Sequence, residues 1–476
     1  MRTQRATLRA DWWSALTVAT LAWGALAFGG VYGWAFWPLV LSSAALGTVG
    51  VVANRTTNPR GLAIMMVVIA VAIAAQLIPI SAARLAALSP STDRLLRQYD
   101  LPYAVGVAGH SLSIQPAETL VALASYIGFA LLSFGTTRQL GASSLRGLMR
   151  GLVALGALVA FVGIVQEPLS HGRVYGVWVP FSEKANPFGP FINRNHFAGW
   201  MLMMLPLSLG YLGGLTSGQA HRRTQTFRER VLSLSSPEAN EVVLVGFACI
   251  AMALALAMTR SKSGIGGLVV AMLVVGWCVV RHQPTPLRRL AAGAYVLLLF
   301  VSAFWLTGLD TIVFRFVEMD RLSPWEIAGR LDVWRIAARI ASDFPLTGTG
   351  LGTFGVATLF YDPQAALRHF AQAHNDYLQL AAEGGVLLGL PIVLLVVAFV
   401  REARMRFREP RDRDRAVRSV RVGAVTALIA IGLQATVDFS LQMPGNAALF
   451  SVVCAIAIHA HTSSKSRVSQ TTSARR

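Results

Sequence analysis

From Gly384 to Val400 the chain reads GGVLLGLPIVLLVVAFV, seventeen residues without a charge, and runs of this kind recur along its whole length. A bilayer span needs about 20 mostly apolar residues. Because hydrocarbon offers no water to satisfy backbone N–H and C=O groups, such a run must become a helix. Twelve spans are predicted, at about 12–30, 34–53, 61–80, 117–136, 147–166, 196–214, 241–259, 264–281, 288–308, 377–400, 420–437 and 445–462. The expected fold is therefore all-α, a polytopic integral membrane protein with a partly helical long outer loop. Composition agrees: 14% of the residues are charged, against about 25% in soluble domains. The first span follows basic residues and has Ala25-Leu26-Ala27 near its end, a pattern shared with cleaved signal peptides. The span that follows at once, and the charge parity below, favour a retained helix. Cys249, Cys278 and Cys454 lie in apolar runs without a CxxC spacing, which argues for buried thiols and against a metal site or disulfide framework.

A net charge of +19 would suggest nucleic acid in a soluble protein. Here its placement gives another reason. With the N-terminus in the cytoplasm, two thirds of the 42 lysines and arginines fall on the cytoplasmic side, nine of them arginines between Arg401 and Arg421. This is the positive-inside bias. It puts both termini inside and leaves no need for a nucleic-acid partner. Three long loops then face outward, at about 81–116, 167–195 and 309–376. The chain divides into N-terminal helices (1–166), a central region (167–400, with the outer loop 309–376) and a basic loop, two last spans and tail (401–476). In SPWEIAGRLDVWRIAARIASDFPLTG, the residues Ile327, Leu331, Trp334 and Ala338 recur at helical spacing, so an amphipathic helix is expected on the outer membrane surface.

Soluble-enzyme motifs do not hold in this frame. GLGTFG, Gly350–Gly355, is GxGxxG without a preceding strand; a flexible turn is the first reading and a phosphate-cradling turn the second. DRD, Asp412–Asp414, sits among arginines and reads as a solvated charge run. The outward face is richer. It receives Arg173, then Arg194, Asn195 and His196 at the mouth of one span, Arg260 and Lys262 in the short turn TRSKSG, Arg330, and His374 at the mouth of another. Each has a structural reading: arginines snorkel to headgroups, His374 can cap a helix, and Asn375 or Asp376 suits the N-cap. On a helix Asp376 and Glu383 lie roughly opposite His374, which argues against an Asp–His dyad within the segment. Together, several cations and one histidine on one face suit a diphosphate and proton removal from a hydroxyl.

These segments resemble the O-antigen ligase and polymerase superfamily, between about Arg173 and Gly389. DFPLTGTGLGTF followed by AHNDYLQLAAEGGVLLG is similar to the family's Pro-Leu-x-Gly-x-Gly turn and the His-Asn at a span mouth. NRNHFAGWM resembles its Asn-x-Asn-x-x-Ala helix start and TRSKSG its Ser/Thr-Arg turn. The resemblance implies a cofactor-free, metal-independent, inverting glycosyltransferase of the bacterial inner membrane. Its donor would be an undecaprenyl diphosphate-linked glycan, and its acceptor another glycan or lipid A-core, on the periplasmic face. It implies His374 as base and Arg260 and Arg173 on the diphosphate, with Lys262, Arg330, Arg194 and Asn195 as further substrate-binding residues. Arg194 stands where the family often has proline, and Arg260-Ser-Lys262-Ser-Gly264 replaces a Ser-Arg-Gly turn, so ligase and polymerase both stay open. A polytopic transporter or flippase of lipid-linked glycan is the alternative from another class. Such proteins usually carry ionisable residues within their spans, and Glu118, Glu167 and Asp438 sit only at span ends.

Overall fold

The computed structural model describes residues 2–53, 59–106, 109–169, 172–181, 185–218, 237–281, a few positions between 285 and 297, 324–365, 368–408 and 415–460. These residues are helical almost throughout, with isolated bridges such as Val174–Trp178 and Phe188–Phe191. In chain order the helices are α1 (Arg2–Leu26), α2 (Gly33–Ala53), α3 (Arg60–Ala75), α4 (Ala82–Leu88), α5 (Pro90–Tyr99), α6 (Leu101–Ala104), α7 (Pro116–Gln139) and α8 (Ala142–Gln166). They continue with α9 (Arg194–Gly218), α10 (Pro237–Met258), α11 (Lys262–Arg281), α12 (Pro324–Asp343), α13 (Phe354–Tyr361), α14 (Asp376–Arg408), α15 (Arg415–Gln434) and α16 (Pro444–Ile458).

Seven of these have the length and hydropathy to cross a bilayer: α2, α7, α8, α9, α10, α14 and α15. Helix α3 has 16 residues and α16 has 15, about 22–24 Å at 1.5 Å per residue. The expected spans at 12–30 and 264–281 coincide with α1 and α11. The span expected at 288–308 and the DRD run at 412–414 lie outside the described residues, apart from a few positions of the former.

Helix α9 is the centre of the bundle, buried along nearly all its apolar length. Trp200, Met201, Leu202, Met203, Met204 and Leu205 all belong to the largest hydrophobic core. Its tightest neighbour is α15. A Cβ built on Gly210 would lie 2.9 Å from the Gly423 Cα, and one on Gly423 would lie 2.5 Å from the Pro206 carbonyl oxygen. Only glycine lets the two backbones approach this closely.

Arg421, buried in α15, donates to the carbonyls of Arg406 and His459 (3.1 and 3.0 Å). Arg138 bonds the Val51 carbonyl (2.5 Å), and Arg150 bonds Glu241 in a two-pronged ion pair (2.7 Å each). Arg138, Arg150, Arg406 and Arg421 are all among the arginines that the sequence expects on one side of the membrane.

The expected amphipathic helix is present as α12. Val333, Ile336, Ala337 and Ile340 are buried with Phe344, Phe354 and Ala373, whereas Leu331 and Ala338 are exposed and Trp334 is half-buried. The side chain of Ile327 lies outside the described residues. The helix packs on α13 and on the entrance to α14 through this second stripe, Ala337 included.

Helix α14 is broken. Gly385 has φ +52° and ψ −153°, a region in effect open only to glycine. The segment 345–354 repairs the break on both sides. The amides of Val386 and Leu387 donate to the Pro345 and Leu346 carbonyls (2.9 Å each), while Thr349 and Gly350 amides donate to the carbonyls of Ala382 and Glu383 (3.0 Å each). Backbone groups freed inside an apolar helix thus find partners within the protein.

Candidate active site

The sequence AHND turns sharply before α14. Asn375 Oδ1 accepts the amides of Tyr377 and Leu378 (3.1 and 3.0 Å), which makes Asn375 the N-cap. His374 precedes it with φ +51°. Four non-glycine residues among those described have positive φ: Phe28, Tyr175, Arg260 and His374. Such a conformation costs on the order of 1–3 kcal/mol and persists only where the surroundings enforce it. Two of the four are residues singled out from the sequence.

The enforcement is visible on both sides of His374. The Ala373 amide donates to Gln379 Oε1 (2.9 Å), and the Asp376 amide donates to the Ala435 carbonyl (2.9 Å). The turn sets the imidazole edge-on against Phe439, with centroids 4.7 Å apart. His196 meets the same ring, also at 4.7 Å. Phe439 thus separates two histidines, one from α14's mouth and one from α9's.

Beside it, Asp438 Oδ1 accepts the Phe439 amide (2.8 Å), and the Asn195 side chain also bonds this carboxylate. His374 Nδ1, Asp376 Oδ2 and Asp438 Oδ2 are buried without a hydrogen-bond partner among the described residues. Burial, seconded by the charge of Arg330, holds the His374 imidazole down to about 4. Burial pushes the Asp438 carboxyl up, against the pull of the Phe439 amide, Arg330 and Asn195. Arg330 therefore acts on both groups, although its own side chain is exposed.

Arg260 is exposed in the turn between α10 and α11, shaped by its neighbours. Thr259 Oγ1 accepts the Ser261 amide (3.2 Å) and Ser261 Oγ accepts the Gly264 amide (3.2 Å). A polar chain leads from this turn to the His374 surroundings. Gln434 Nε2 donates to Ser263 Oγ (3.3 Å) and to the Asn195 carbonyl (3.1 Å), which also accepts Ser440 Oγ (3.3 Å). Lys262 is exposed at the first residue of α11, and Arg194 half-buried at the first of α9, its amide bonded to the Asn186 carbonyl (2.7 Å).

Arg173 is placed differently. Its carbonyl accepts Gln166 Nε2 (3.1 Å), and the neighbouring Trp178 packs against Phe28 and Tyr32. The described contacts of this loop run to the entrance of α2 and not to Phe439 or His374. Among the described residues these contacts join His374, Arg330, Asn195 and the Arg260 turn, and none of them links Arg173 to this set.

The glycine-rich turn holds a protein carboxylate. The amides of Gly352 and Phe354 donate to Glu383 Oε2 and Oε1 (2.9 and 3.0 Å). The amides that a phosphate would need are occupied, so the turn reads as structural. Phe439 and Gln434 carried no motif. Their signal was indirect, in the Asp438 that follows the uncharged run 422–437.

Residues 247–393 match the family model for O-antigen ligase. The matched segment includes Arg260, Lys262, Arg330, His374 and Glu383, and excludes Arg173, Arg194, Asn195 and Asp438. No curated protein matches the chain.

Proposed function

With residues 247–393 matching O-antigen ligase and so supporting the O-antigen ligase and polymerase superfamily, we propose that this membrane protein transfers a glycan from undecaprenyl diphosphate to a sugar hydroxyl, with inversion and without a metal, on the periplasmic face of the inner membrane. His374 is the base. Its imidazole is neutral at physiological pH, because burial and Arg330 hold it down to about 4. The acceptor oxygen attacks the anomeric carbon as His374 takes its proton, and the bond to the diphosphate breaks on the opposite face. Arg260 and Arg173 offset the charge gathering on the leaving diphosphate, assisted by Lys262 and Arg330. Arg194 and Asn195 line the acceptor side. A diphosphate is a good enough leaving group to need no protonating acid, unlike the sugar oxygens that glycosidases expel with paired carboxylates.

The observation that carries this reading is the constrained turn at His374. A neutral histidine, at positive φ and braced on both sides, stands inside the matched segment and in electrostatic reach of an arginine. Purified protein supplied only with lipid-linked repeat units tests the reading and divides its two forms. Chain growth means a polymerase. Transfer only when lipid A-core is added means a ligase. Transfer in neither case, with folded protein, contradicts the proposal.

A further inference from the structure

The reaction outlined above gives the buried acid Glu383 no task. Glu383 lies two turns into α14 and is 4% exposed. Its carboxylate gathers three donors: the Gly352 amide, the Phe354 amide and Gln379 Nε2 (2.9, 3.0 and 3.0 Å). An ionised carboxylate is acceptor-only, and such a cluster of donors suits it as no neutral side chain would. Gln379 stands one turn closer to the helix mouth and is itself buried. Its nitrogen is committed to Glu383 and to Gln442 Oε1 (3.1 Å), so its oxygen must face the other way. That oxygen accepts the amide of Ala373, a residue with no exposed surface (2.9 Å). Gln442 completes a second arm by donating to Asp376 Oδ1 (2.7 Å). The two arms meet the chain on either side of His374.

We propose that Glu383 and Gln379 are positioning residues for His374. The buried carboxylate orients the Gln379 amide, and the amide oxygen fixes the Ala373 N–H and with it the left-handed turn that presents the imidazole. The same carboxylate grips the 352–354 turn, so the loop that repairs the broken helix also aims the histidine. The inference rests on His374 being the base, and its test separates the two ideas.

The full-length protein, reconstituted in nanodiscs, would be prepared as wild type, Gln379→Ala, Glu383→Gln, the exchanged pair Gln379→Glu/Glu383→Gln, and His374→Ala. Amide hydrogen exchange over residues 371–376 reads the turn, and kcat and KM with a lipid-linked glycan read its consequence. Gln379→Ala and Glu383→Gln are expected to speed exchange there and to lower kcat by about 10–100-fold with KM nearly unchanged, as misplacement of a reacting group does. The exchanged pair puts the carboxylate on 379, where it can still accept the Ala373 amide and the new amide of 383, and is expected to show slower exchange and a higher kcat than Glu383→Gln. Unchanged exchange or unchanged kcat in Gln379→Ala would overturn the proposal. So would an exchanged pair no better than Glu383→Gln, with activity tracking only the amount of folded protein. Faster exchange in Gln379→Ala beside a fully active His374→Ala would leave the contact standing and remove the base assignment instead.

Discussion

The rings of His374 and Phe439 meet edge to face, with centroids 4.7 Å apart and planes at 81°. Phe439 comes from the link between α15 and α16, and His374 from the mouth of α14, so the contact ties two distant parts of the chain at the proposed reacting group. Such aromatic pairs contribute about 0.5–1.5 kcal/mol beyond area burial. Phe439→Leu keeps much of the volume and removes the ring. It is expected to insert normally and to lose roughly tenfold in kcat, about the rate equivalent of 1.4 kcal/mol. Steady-state kinetics of the purified variant check this, and an unchanged kcat would mean that the ring does not orient the imidazole.

The pH dependence follows from the environment of His374. Its conjugate acid is destabilised first by burial and second by Arg330, which brings the imidazole to about 4. A general base works in its neutral form, so activity is expected to stay level as pH falls through 6.5 and to drop only near 4. Arg330→Gln removes the smaller cause. The acid limb of kcat/KM should then move upward, toward but not to the ordinary histidine value of about 6.5. A limb that stays in place, or moves down, would contradict the electrostatic role given to Arg330.

Arg260 allows charge and backbone to be separated. It has φ +51°, which glycine adopts without the steric cost borne by other residues. Arg260→Gly should therefore leave thermal stability equal or higher while lowering kcat by about 100–1,000-fold, the usual loss on removing one preorganised charge-stabilising group. Arg260→Ala should lose as much activity without that gain in stability. Melting temperature and kcat measured on the same preparations distinguish these effects.

Gly385 tests the helix break. A Cβ there would lie 2.7 Å from the Gly348 nitrogen and 2.8 Å from the Pro345 oxygen, in a backbone conformation that L-residues avoid. Gly385→Ala is expected to destabilise by at least about 1–3 kcal/mol from backbone strain alone, seen as a lower unfolding midpoint in detergent. Unchanged stability would show that the segment 345–354 can give way.

The helices could be read from the sequence because the bilayer permits so little else. A run such as Gly384–Val400 has to be helical, and each expected span with described residues falls for most of its length on a helix. The break within α14 could not be read. Gly384-Gly385 inside an apolar run is tolerated in many helices, and the residues that repair it lie about 40 positions upstream. At the site, His374 and Arg260 were legible as polar residues at span mouths. Their left-handed backbones were not, because nothing in the residue types His and Arg asks for positive φ. Glu383 was seen only as an acid on the far side of the helix, and its role emerged once the glycine-rich turn was found wrapped around it.

The central claim is that His374 performs the proton transfer, and one comparison tests it most directly. Wild-type protein and His374→Ala, matched for membrane insertion and thermal stability, are given the same lipid-linked repeat units with and without lipid A-core, and the products are sized. The account predicts a loss of transfer in the variant of about 100–10,000-fold, the usual contribution of a general base. A His374→Ala protein that extends or ligates glycan at the wild-type rate would contradict it.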